Sequence, residues 1–157
     1  MALLVLAVLV PVLLLTLTSP RIDDLRRRQI VAGQLRAIGD AISRYHQSHG
    51  EMPSALPDLL IADLLSERDL EIPYELDDPA AQCGFAYVAG LHPNDPPGWP
   101  LVFDMQHARD DDCAIMLLLS GDVLSKSRGE LAKLMQRFET EYRSSRGDAL
   151  RVLYGCN

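Results

Sequence analysis

Two short stretches of this chain hold residue types that could do chemistry. His46, His49 and Glu51 bring two imidazoles and a carboxylate together, ligand types that suit zinc. Their spacing misses the i and i+4 pairing that puts two ligands on one helix face, so solvated residues at a helix end are the plainer reading. His107 stands close to Asp110, Asp111 and Asp112. Their oxygens are hard ligands of the kind calcium takes, and these three are the calcium candidates. Three successive carboxylates cannot easily face one ion, however, and no D-x-D-x-D spacing is present, which leaves a solvated acidic loop as the plainer alternative.

Compact catalytic signatures are absent. The chain contains no G-x-S-x-G, S-x-x-K, H-E-x-x-H or G-x-G-x-x-G. Ser120 and His107 would make a nucleophile and base only with a third group to orient them, so no enzymatic activity and no small-molecule substrate are expected. Cys83, Cys113 and Cys156 lie far apart, with no C-x-x-C. One disulfide with one free thiol, or three buried thiols, are both open. A formal charge of −7 disfavours nonspecific nucleic-acid binding, which needs a basic surface.

The elements that would position these residues are written in the apolar periodicity. Val31, Leu35, Ile38, Ile42 and Tyr45 recur in steps of four, three, four and three, one face of a helix. Ile22 and Leu25 carry the pattern back towards the N-terminus, predicting one long helix from about residue 3 to about residue 47, stopped by Gly50 and Pro53. Ser54 is expected to cap a short helix carrying Leu56, Leu59, Leu60 and Leu64, ending near Ser66. Residues 67–82, acidic and interrupted by Pro73 and Pro79, read as a loop.

Strands are expected at 83–89, 99–104 and 113–119, with a short one at Val123 and Leu124. The run CAIMLLL suits a strand covered on both faces, or a short buried helix. Ser127 and Glu130 form the S-x-x-E capping box of a C-terminal helix over 127–145, whose apolar face is Leu131, Leu134, Met135, Phe138 and Tyr142. Residues 149–153 add a terminal strand or pack down.

Residues 2–19 read ALLVLAVLVPVLLLTLTS, and every charged side chain lies beyond Pro20. Eighteen residues of helix rise about 27 Å, close to a bilayer's hydrocarbon core. A cleaved signal peptide would carry a basic region ahead of the run and small residues at its end, so a retained anchor over 1–20 is favoured. Residues 21–157 then make one domain: helix 21–48, loop and short helix 49–66, sheet region 83–124 and helix 127–145. Arg21, Arg26, Arg27 and Arg28 follow the span, which by the positive-inside rule alone would keep that domain in the cytoplasm.

A long helix, half apolar and half amphipathic, followed by a small sheet resembles type IV pilin-like proteins. The run LRAIGDAISRYHQSHGEMPSALPDLL resembles the end of the first helix of type II secretion pseudopilins, with Leu35, Ile38, Ala41, Tyr45, Gly50, Pro53, Leu56 and Leu59 at the family's positions and Met52 in place of its aromatic. Farther on, FAYVAGL, then PLVFD, His107 and MLLLSGDV with Gly121 follow the order of a subgroup with a C-terminal His and D-G-H-V hairpin. Ser120 and Asp122 replace that hairpin's Asp and His.

The resemblance implies an α+β pilin-like fold: the long helix packed on a small antiparallel sheet, with an additional C-terminal helix here. It implies a structural subunit of an envelope-spanning secretion or pilus-type assembly, contacting the membrane, sister subunits and secretion-system proteins. Leu35, Ile38, Ile42 and Tyr45 would pack helix on sheet, and residues 5–15 would meet neighbouring helices in the bilayer. No cofactor is implied beyond the calcium that such proteins often hold in a C-terminal loop. The family's basic leader, its Gly and the F-T-L-x-E start are not in this sequence, so either the chain starts late or the anchor is not processed. A basic leader would hold the N-terminus in the cytoplasm, and the expected place is the inner membrane, single-pass, with the domain in the periplasm. The alternative is an anchored extracytoplasmic binding module that keeps the fold without assembling.

Overall fold

In the computed structural model, α1 runs unbroken from Ala2 to His49, with Pro11 and Pro20 inside it. The structure describes residues 2–71, 84–104, 113–147 and 151–154, with side chains from residue 25 onward and without those of 153 and 154. Among the described residues no helix is long and apolar enough to cross a membrane, and the side chains of the apolar run lie outside them. His107 and the calcium candidates Asp110, Asp111 and Asp112 also lie outside, as do Cys83 and Cys156. The chain divides into two units, Met1–Ile30 and Val31–Asn157. The first holds only the N-terminal part of α1.

Gly50 ends α1. Its φ of +79° is left-handed backbone that glycine takes without strain, and its N–H donates to the His46 carbonyl at 2.8 Å. Then come α2 (Pro57–Ile61) and α3 (Glu67–Leu70). Two local readings change here. Ser54 does not cap α2 as an acceptor. Its N–H and hydroxyl both donate to Asp58 Oδ2 at 2.7 Å, and the Ala55 N–H joins them at 3.0 Å. The start of the expected 67–82 loop is helical instead, because Ser66 and Asp69 form a capping box around α3.

The sheet consists of β1 (Phe85–Ala89), β2 (Pro100–Asp104), β3 (Cys113–Leu118), β4 (Val123–Ser127) and β5 (Arg151–Tyr154). All neighbours are antiparallel, in the order β4-β3-β2-β1-β5. The last strand thus returns to the far side of the first. β2 gains one residue on β3 between Pro100 and Val102, a bulge at Leu101 that locally interrupts the ladder. β4 is longer than expected, since Ser125 and Lys126 continue the pairing with Ile115 and Ala114.

Register assigns the two faces. Tyr87 stands beside Val102 and Val102 beside Leu117, so these side chains share one face. A Cβ built on Gly39 of α1 would meet Leu117 Cδ2 at 3.1 Å, which places α1 on that face. Ala114 and Lys126 lie on the other face. The C-terminal helix α4 (Arg128–Arg146) begins where β4 ends and contacts β3 and β4, with Phe138 and Tyr142 buried, so it covers the face that α1 leaves open. With helices on both sides, β1 and β2 are buried at every position and β3 at all but Cys113.

The core joins these layers. Val31, Leu35, Ile38, Ala41 and Ile42 of α1 are buried with Leu56, Leu59, Tyr87, Val102 and Leu117, while Tyr45 is half-buried. On the other side Trp99 meets Phe138 edge to face, with ring centroids 5.2 Å apart. The Trp99 indole N–H donates to Glu141 at 3.1 Å. Ser127 and Glu130 cap α4 reciprocally.

Candidate functional site

A cleft of about 780 Å³ opens where α1 ends, where β1 turns towards β2 and where α4 finishes. Chain reversals build it, so its residues are distant in sequence: His46 and Glu51 from the end of α1, Gly90 and His92 from the turn, Tyr142 and Arg146 from α4, and Arg151 from β5.

Asp95 organises the turn. Its carboxylate accepts the His92 backbone N–H at 2.6 Å, and Arg146 Nη2 donates to both of its oxygens at 2.7 and 2.8 Å. Asp95 is half-buried, its side chain 15% exposed, while Arg146 lies at the surface with its side chain 31% exposed. The second Arg146 nitrogen donates to the Gly90 carbonyl, and the guanidinium lies over the Tyr142 ring, 5.6 Å from its centre. Hydrogen bonding to Asp95 holds the Arg146 pKa above its usual value. Gly90 permits this closure: its φ is +82°, and an added Cβ would stand 3.3 Å from the Tyr142 hydroxyl oxygen.

Two histidines line the cleft. His92 Nδ1 accepts the Asn94 backbone N–H at 3.2 Å, so in the neutral ring the proton sits on Nε2 and makes that atom a donor. His46 Nδ1 is buried and meets no hydrogen-bonding partner among the described residues. His49 faces elsewhere. It stacks on Tyr45 with centroids 4.1 Å apart, and its Nδ1 lies 3.1 Å from the Tyr45 carbonyl and 2.8 Å from the Ser48 hydroxyl. His46, His49 and Glu51 therefore do not converge, and among the described residues no group of three His, Cys, Asp or Glu side chains could hold a metal ion.

The floor beneath this cleft is pinned by the Tyr87 hydroxyl, which donates to the Pro53 carbonyl at 2.8 Å. Burial, and secondarily the charge of Asp58, push the Tyr87 pKa well above its ordinary value. Asp58 itself is held below the usual carboxylate range, first by the Ser54 hydroxyl and then by the Ala55 and Ser54 N–H groups, against the opposing effect of burial. Of the other residues singled out by the sequence, Gly121 sits in the β3–β4 turn, where Ser120 donates to Asp122 at 2.8 Å. Cys113 is a free thiol 2.6 Å from the Ser125 hydroxyl.

Sequence reasoning noticed His46 and Glu51 but assigned no role to His92, Asp95, Arg146 or Arg151. The one available signal was the run LHPNDPPG, whose Asp and Pro residues mark a structured turn. Neither a family model, nor a curated protein, nor a solved structure matches this chain.

Proposed function

We propose that the chain is a membrane-anchored, pilin-like structural subunit, a pseudopilin of a type II secretion or type IV pilus-type assembly, acting through helix and domain contacts. The observation that carries this reading is the double use of α1. One helix contains the apolar run of residues 2–19 and, farther along, buries Val31, Leu35, Ile38 and Ile42 against an antiparallel sheet. Such a helix suits joining a lipid-embedded contact to a folded domain. The partners are then sister subunits in the inner membrane, and the domain is periplasmic.

A reporter that works only outside the cytoplasm, fused after Asn157, tests the orientation: activity is expected, and activity of a cytoplasmic reporter instead overturns it. Single cysteines within residues 5–15 should cross-link to sister helices in isolated membranes. The cleft favours a second reading, an anchored extracytoplasmic binding module. An exported domain without cross-links would select that alternative.

A further inference from the structure

We propose that the cleft beside the end of α1 binds a small organic carboxylate, held by Arg151 and His92 with its apolar body against Met52, Leu91 and Pro93. This inference does not depend on whether the chain assembles.

Charge is the first reason. The chain as a whole carries −7, yet the charged groups in the described lining of this cleft are two guanidiniums, Arg146 and Arg151, against a single carboxylate, Glu51. Arg146 is already committed to Asp95. Arg151 is exposed, and among the described residues no carboxylate pairs with it. A guanidinium left open on a cleft wall matches a carboxylate through two parallel N–H donors.

Tautomer is the second. Because the Asn94 N–H occupies Nδ1 of His92, the neutral ring offers a donor at Nε2, suited to an anion and unsuited to a metal or a cation. Hydrogen bonds to Asp95 hold the His92 backbone in the turn, and the Asn94 N–H orients its ring. Size and lining are the third. A volume of about 780 Å³ suits a small molecule, and Met52, Leu91 and Pro93 supply apolar wall beside few polar groups. With Arg146 committed, one open guanidinium suits a singly charged carboxylate on an apolar body better than phosphate.

The test uses the full chain in detergent micelles, titrated with benzoate, inorganic phosphate and benzylamine, and reads the His92 ring resonances by NMR so that partition into micelles does not count. Saturable shifts with benzoate in the millimolar range are expected, with weaker binding of phosphate. Arg151→Gln should weaken benzoate on the order of tenfold. Glu51→Gln should tighten it by removing the opposing charge. No saturable benzoate shift, an affinity unchanged by Arg151→Gln, tighter binding of phosphate than of benzoate, or a benzylamine site that Glu51→Gln abolishes would each overturn the proposal.

Discussion

Tyr87, on an interior strand, ties its hydroxyl to the carbonyl of Pro53, 34 residues earlier, through a buried hydrogen bond of 2.8 Å. The bond fixes the chain that leaves α1 against the sheet and pins the floor of the cleft. Replacing Tyr87 with Phe removes the donor and leaves a buried carbonyl unpaired, which should cost about 1–3 kcal/mol in urea unfolding at neutral pH.

The same tyrosine makes stability depend on alkaline pH. Its pKa is raised in the folded state, so the unfolded chain holds fewer protons once pH passes the ordinary tyrosine value of 10.0. Stability from this group is complete below that value and falls as pH rises beyond it. Urea midpoints of the wild type should drop more steeply than those of Tyr87→Phe above pH 10; parallel curves would show that Tyr87 ionises freely in the folded protein.

Asp58 acts at the acid end with the opposite sign. Its folded pKa is depressed below 3.8, so its contribution is present above that value and is lost as pH falls through the lower folded one. Asp58→Asn should be less stable than wild type at neutral pH, and the gap should close in acid as the wild-type carboxyl protonates. Acid-unfolding curves followed by circular dichroism compare them directly.

Ile38 is fully buried on the face of α1 that meets the sheet, whereas Arg36 is exposed on the same helix. Ile38→Asp should cost more than about 3 kcal/mol because it buries an unpaired charge. Arg36→Asp should cost about 1 kcal/mol or less. Equal, small losses in thermal melts would mean that residues 31–45 do not pack on the domain, and the fold argument for a pilin-like subunit would go with them.

Glycines on α1 separate propensity from packing. Nothing lies within 4 Å of a Cβ built on Gly33, so Gly33→Ala should gain about 0.5–1 kcal/mol of helix stability. Gly39 faces Leu117, whose side chain is fully buried. Gly39→Leu should therefore lose about 1–3 kcal/mol through overpacking. Chemical denaturation of both variants checks the sign of each.

What the amino-acid sequence determined by itself was local. Val31, Leu35, Ile38 and Ile42 announce a buried helix stripe because their spacing follows the helical turn, and all four are buried. Ser127 and Glu130 announce the start of α4 because a capping box needs only residues three apart, and Ser66 with Asp69 carried the same signal for α3 although the acidic, proline-bearing stretch after it argued for a loop. The pairing of β5 with β1, the coverage of both sheet faces and the meeting of His92, Arg146 and Arg151 with His46 and Glu51 were decided by tertiary structure. Contacts between residues so far apart in the chain leave no period to read. They depend on which strand closes the sheet edge and on how burial of apolar faces draws α1 and α4 to opposite sides.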